Sequence, residues 1–305
     1  MLFPHRLKDS SDHGVTLDFF ESLLRKDSPC RLEDEYPLVF RPEFHERVFV
    51  KKMGSEIVAG LGILPREVEI DEGRTARGLF VGSVVTDPKQ RLQGYQRELF
   101  LAVTEHAENH GFDFIVLWSS QIQFYEKLGF FLGGLQATWT PTLKQSLATL
   151  EKGVVVDESR NVEFSHKFFE AFDRKSFCVK RTAEEMRLLW RIPQMRVAYT
   201  KNAYALLGKG EDFKHVCHEW AGPTDEVLAC LEALRTVEPN LRILSPGVIH
   251  LEEERGVVNA LEQSSFECRL EYLGLIKIIG SGFDKKDFDP SQLKYPFFIW
   301  GLDSI

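Results

Sequence analysis

"SVVTDPKQRLQGYQRELFLAV", residues 83–103, decides the fold. It begins as a valine-rich extended run and stops at Pro88, whose ring removes a backbone donor. It then turns through a stretch nearly free of β-branched residues and becomes helical. Tyr95, Leu99, Val103 and Ala107 recur every four residues and give the helix one apolar face, and Gly111 follows as a C-terminal cap. "FDFIVLW" (112–118) then reads as a short strand buried on both faces. Strand, helix and strand at this spacing form a βαβ unit, with parallel neighbouring strands and a right-handed crossover.

Upstream, residues 15–27 carry apolar side chains at helical spacing, and 46–70 contain two extended runs around the turn Lys52-Met53-Gly54-Ser55. With "ARGLFVGSVVT" (76–86) these runs make a three-stranded meander. Downstream, "QIQFYEKLGF" (121–130) is a short helix closed by Gly129, followed by a strand near 130–139. The stretch 141–158 is polar and irregular and reads as a linker. The second half repeats the order of elements without repeating the residues. Helical patterns at 164–174 and 182–192 precede extended runs at 195–200, 203–210 and 213–220, a helix from Thr224, a strand at 241–246, a helix near 257–261 and a strand at 269–279.

The corner at 87–96 has a specific physical use. Backbone N–H groups at a helix N-terminus lack intrahelical acceptors, and together with the helix dipole they form an anion site. Gly94 removes a side chain where a ligand approaches the backbone, and Lys89, Arg91 and Arg97 add positive charge. The same residues also suit a plain turn with solvated charges.

"VVTDPKQRLQGYQ" resembles the coenzyme A loop of the GNAT superfamily of N-acetyltransferases, an Arg or Gln, two residues, Gly, one residue, then Gly or Ala. The match runs through Arg91, Gly94 and Gln96, and the glutamine departs from the small residue of the pattern. "FYEKLGF" (124–130) is similar to the later helix and closing Gly-Phe of that superfamily. The resemblance implies a mixed α/β sheet of the GNAT acyl-CoA N-acyltransferase type. With the repeated element order it implies two tandem GNAT-like domains, a CoA-binding one at 1–145 and a degenerate one at 155–305.

The activity it implies is transfer of an acetyl group from acetyl-CoA to a primary amine of a small molecule, peptide or protein, by direct attack in a ternary complex. Two alternatives are a noncatalytic CoA-binding module and a transferase for longer acyl-CoA donors. By the same resemblance, the backbone of Val84, Val85 and Thr86 pairs with the pantetheine arm and offers an N–H to the thioester oxygen. Arg91, Leu92, Gln93, Gly94, Tyr95 and Gln96 hold the pyrophosphate. Tyr125 protonates the departing thiolate, and Ser120 or Ser119 hydrogen-bonds cofactor or substrate. In some tandem-domain relatives the terminal carboxylate takes the amine's proton. The apolar tail "YPFFIWGLDSI" (295–305) makes Ile305 the candidate for that role.

The second half's corner, Gly222-Pro223-Thr224 before Asp225 and Glu226, has no CoA loop and no basic residue, so one cofactor site per chain is expected. "HVCH" (215–218) invites zinc, but alternation on a strand separates His218 from His215 and Cys217 and no second ligand pair is near, so no metal is expected. His218 and Glu219 are instead candidates to face a cleft between the halves. "GKG" (208–210) and "GSG" (280–282) read as turns.

Composition sets the outer bounds. A formal charge of −8 over 305 residues argues against nucleic-acid binding, which draws its affinity from basic residues displacing counterions. No run of eighteen apolar residues and no leader pattern occurs, so neither a membrane span nor export is expected, and the expected location is the cytoplasm. Five scattered cysteines without a C-x-x-C pair suit reduced thiols.

Overall fold

The computed structural model describes residues 5–6, 12–71, 74–142, 147, 153–163, 168, 178–247, 252–264, 266–288 and 298–305. One 13-stranded mixed sheet organises them. After a short edge strand β1 (His5–Arg6), helix α1 (His13–Leu24) and the one-turn helices α2 (Leu32–Glu35) and α3 (Pro37–Phe40) cover one face. The meander follows as β2 (Val48–Met53), β3 (Glu56–Asp71) and β4 (Arg74–Thr86), all antiparallel.

Helix α4 (Tyr95–Asn109) then crosses to β5 (Phe114–Trp118), which lies parallel to β4. Leu99, Phe100, Val103 and Ala107 are the buried face of α4, as its four-residue spacing predicts. Gly111 follows the helix at φ +66°, a conformation that costs glycine nothing. Helix α5 (Ile122–Glu126) and β6 (Phe131–Pro141) complete the first half.

The stretch 141–158 departs from the expected linker, because Val155–Glu158 form strand β7. It pairs antiparallel with β9 (Arg196–Tyr199), and the β-branched residues Val155 and Val156 favour that extended pairing. Strand β8 (Cys178–Val179) joins β3, and helix α6 (Ala183–Leu189) starts from a Thr182/Glu185 capping box. The helical pattern at 164–174 lies outside the described residues, apart from Phe168, which is buried. Strands β10 (Tyr204–Leu207) and β11 (Val216–Ala221), helix α7 (Thr224–Val237), β12 (Arg242–Pro246), helix α8 (Glu252–Gln263) and β13 (Phe266–Ile278) follow. Strands β11 and β12 are parallel across α7, the counterpart of β4, α4 and β5.

The halves are joined by exchanged strands. β13 inserts between β5 and β6, while β6 pairs on its other side with β12. Each half's last strand therefore lies antiparallel to the other half's central parallel strand. One apolar core contains Leu17, Phe40, Phe80, Trp139, Tyr204, Trp220, Leu231 and Trp300, from both halves. A smaller one packs α4 and Tyr125 on the opposite face. Among the described residues no helix is long and apolar enough to cross a membrane.

Candidate active site

The pairing of β4 with β5 ends at Phe80 opposite Val116, although β4 runs on to Thr86 and β5 to Trp118. The two strands splay beyond that pair. Between the pairs Gly60–Val85 and Gly62–Gly82 the register of β4 on β3 shifts, so that Leu61 faces both Ser83 and Val84. This is a β-bulge, and Ser83 adopts φ +50° within it. Such backbone strain concentrates at functional sites.

A cavity of about 780 Å³ fills the splay. Val84, Thr86 and the whole run Arg91, Leu92, Gln93, Gly94, Tyr95 and Gln96 line it, as do Tyr125 and Ile305. Two expected members stand apart. Val85 points into the core at 6% exposure, since residues alternate along a strand, and its carbonyl accepts from Gln96 Nε2 at 2.5 Å. Ser120 is exposed beside the cavity, whereas Ser119 and Gln121 line it. Ser119 Oγ accepts the Gln121 N–H at 3.0 Å, in the turn that leads into α5. The bulge at Gly82-Ser83, the Trp118 and Phe124 walls and Gln90 were not singled out as site residues in the sequence. A glycine inside a valine-rich strand is the signal that marks such a bulge.

The loop into α4 has an open anion geometry. Gly94 caps the helix at φ +82°, and a Cβ placed on it would meet nothing within 4 Å. The first amide of the helix to find an acceptor is Glu98 N–H, on Gly94 O at 3.1 Å. The amides of Tyr95, Gln96 and Arg97 precede it and have no protein acceptor among the described residues. Leu92, at φ +64° and fully exposed, continues the turn. Gln96 does not plug the niche. Its side-chain amide folds back onto Val85 O and Thr86 Oγ1 (2.9 Å), which leaves Gln96 Oε1 buried without a partner. Beneath the helix start, the buried Lys51 ammonium is ion-paired with Glu98 and lies 5.7 Å from the Tyr95 ring centroid.

Tyr125 is 6% exposed among Phe100, Phe124 and Phe130. Burial raises its phenol above the ordinary range, opposed by a hydrogen bond with Ser119, so the hydroxyl keeps its proton at neutral pH. Glu126 is exposed. The last described residue packs so closely on Gly82 that any β-carbon there would collide with the Ile305 main-chain oxygen.

The second-half candidates are structural. Cys217 and His218 are fully buried, His215 is exposed and hydrogen-bonds Glu238 at 2.8 Å, and no group of metal-ligating side chains occurs among the described residues. His218 Nε2 contacts Gly208 O at 2.8 Å. Glu219, 0% exposed, is occupied by Arg181 and Tyr204 and so does not face an open cleft. At the Thr224 corner, Glu226 is tied to Thr200 and Asn202.

Residues 20–133 match the family model described as an acetyltransferase (GNAT) domain. No curated protein matches the chain in sequence. Among solved structures, a GCN5-related N-acetyltransferase from Kribbella flavida is similar with a TM-score of 0.64 and 14% identity, covering 90% of this chain and 71% of that one. A GCN5-related N-acetyltransferase from Anabaena variabilis is similar at 0.63 and 13%, covering 91% and 72%. A tandem GNAT protein from the clavulanic acid biosynthesis pathway is similar at 0.52 and 14%, covering 92% and 99%. At such identities these likenesses establish the fold, and the family model identifies the domain that carries the cavity. Residues 20–133 thus carry an acetyltransferase (GNAT) domain, in a chain whose fold is shared with a tandem GNAT protein.

Proposed function

We propose that the protein is an acetyl-CoA-dependent N-acetyltransferase acting on a primary amine. The observation that carries this reading is one cavity lined by the first turn of α4, whose amides have no acceptor among the described residues, and by Tyr125 and the β4 bulge. The open backbone at Gly94, the amides of Tyr95–Arg97 and the charges of Arg91 and Arg97 suit a diphosphate. The site residues therefore fit coenzyme A. When bound, acetyl-CoA supplies the acetyl group as an activated thioester.

The chain's own residues do the rest. The positive end of the α4 dipole and the loop amides bind and orient the diphosphate. The turned-out backbone at Ser83 and Val84 donates to the acyl oxygen from a preorganised position. Tyr125 Oη holds a proton for the departing sulfur. Ile305, at the wall beside Gly82, accepts an N–H of the incoming amine and, where it carries a free carboxylate, takes up its proton. Its close packing on Gly82 leaves little depth there, which favours acetyl over longer acyl groups.

A noncatalytic CoA-binding module is the second reading. It is favoured by Gln96, whose side chain takes the Val85 carbonyl that a pantetheine arm would use. Thiol release from acetyl, succinyl and myristoyl donors with a panel of primary amines separates the readings. Amine-dependent release with the acetyl donor fastest is expected. Tight CoA binding with no amine-dependent release overturns the catalytic reading.

A further inference from the structure

The turn Gly208-Lys209-Gly210 bears no phosphate-loop chemistry, yet it sends a lysine fully inside the protein. Gly208 and Gly210 adopt φ +81° and +53°, and a β-carbon at Gly210 would collide with the Glu35 carboxylate. Lys209 is 1% exposed, and its Nζ donates to the main-chain oxygens of Gly301 (2.9 Å), Leu302 (3.4 Å) and Ser304 (2.6 Å) and to Ser304 Oγ (3.1 Å). The Tyr36 ring lies 4.8 Å from the ammonium.

A second buried cation fixes the same segment. Arg181, at 0% side-chain exposure, binds Asp303 through Nε at 3.0 and 3.1 Å and Glu219 through Nη1 and Nη2 at 2.9 and 2.8 Å. Arg66 Nε stands 3.6 Å from Asp303. Phe298, Trp300 and Leu302 are each 1% exposed, and Gly301 packs on the His218 ring so closely that no side chain fits. Apolar packing of this kind is enough to dock a tail. Buried charges are costly and add little stability of their own, and their best-attested use is to fix register. Here the register they fix is that of residues 301–305, which ends with Ile305 on Gly82 at the cavity wall.

We propose that Lys209 is a positioning residue for the reaction: by gathering the main-chain oxygens of residues 301, 302 and 304 it sets Ile305 against Gly82 and so shapes the acceptor side of the cavity. The proposal rests on the acyl-transfer reading for its kinetic consequence and on the clamp geometry alone for its structural one. Burial lowers the Lys209 ammonium to about 7, with Asp303 and Asp212 opposing the drop. The clamp lies beyond the residues matched by the family model, in the turn between β10 and β11.

The test uses the full-length Lys209→Met variant. Amide hydrogen exchange at Asp303 and Ser304, whose N–H groups bond Trp300 O and Gly301 O, is expected to quicken about tenfold. The kcat with a primary amine is expected to fall at least about tenfold while CoA affinity by calorimetry stays within about twofold. Gly82→Ala, which displaces Ile305 from the other side, should not add its loss to that of Lys209→Met. Unchanged exchange at 303–304, or a kcat loss matched by an equal loss of CoA affinity, or additive losses in the double variant, overturns the proposal. If the wild type transfers no acyl group, the functional reading fails and the exchange result alone judges the clamp. Should Lys209→Met not fold, Lys209→Gln keeps donors without charge and is expected to give intermediate exchange, wild-type exchange counting against the clamp.

Discussion

At the scale of single residues, two buried groups give separate tests, the Tyr125 phenol for the proposed chemistry and the His218 imidazole for stability. Tyr125 is held protonated by burial, so Tyr125→Phe is expected to lower kcat by about 10²-fold with CoA affinity unchanged. Steady-state kinetics beside calorimetry checks this, and an unaltered kcat would leave the tyrosine a packing role. His218 has a pH signature. Burial, reinforced by Lys209 and Arg181 and opposed by the Gly208 carbonyl, lowers it from 6.5 to about 3. The unfolded chain therefore takes up a proton near pH 6.5 that the folded protein refuses until about pH 3. The His218 contribution to stability is complete above pH 6.5 and is lost as pH falls through that window, with the slope of one proton. Denaturant unfolding at pH 7.0 and 5.0 should show the decline, and His218→Gln should flatten its slope by about one proton. Lys209 takes no part in this acid limb, being protonated in both states below pH 7. The resemblance of "FYEKLGF" to the later GNAT helix made Tyr125 a candidate, and the structure sets it at the cavity. Lys209 could not be singled out, because a lysine between two glycines has the same sequence whether it points to water or into a core.

At the scale of elements, the turn from β4 into α4 is the proposed diphosphate site, and most of its geometry was legible. Pro88, Gly94 and the four-residue apolar spacing are local signals, and the structure places the strand end, the glycine cap and the buried helical face where those signals put them. The bulge at Ser83 was harder, since it depends on how β4 registers against β3 rather than on β4 alone. Strand β7 was missed for a related reason. Polar neighbours made 141–158 read as linker, while the partner that makes 155–158 a strand, β9, lies some forty residues away. Because backbone amides would share a bound diphosphate with Arg91, Arg91→Ala is expected to weaken CoA three- to tenfold rather than abolish binding. The loss should shrink at high ionic strength, as it does for exposed charges. Calorimetry at two salt concentrations checks this, and a salt-independent loss would mean that Arg91 acts through loop shape instead.

At the scale of the whole molecule, the two halves form one sheet. The repeated element order was visible in the sequence, but the exchange of β6 and β13 was not, because strand periodicity reports which face is buried and says nothing of the partner. Leu275 and Ile276 of β13 are fully buried against the first half, and burying two such side chains contributes about 3–6 kcal/mol. That is a large share of the 5–15 kcal/mol typical of a folded domain. Residues 1–145 expressed alone are therefore expected to aggregate or stay unfolded, and co-expression with residues 155–305 to restore a soluble complex. A monomeric, cooperatively folded 1–145 fragment would show the halves to be independent.

The binding and kinetic expectations depend on the α4 corner gripping a diphosphate, and calorimetric titration of coenzyme A into the protein tests that most directly. The expected result is saturable binding at about one site per chain, weakened by Arg91→Ala and little changed by Tyr125→Phe. No heat and no thermal stabilisation at millimolar coenzyme A would contradict it.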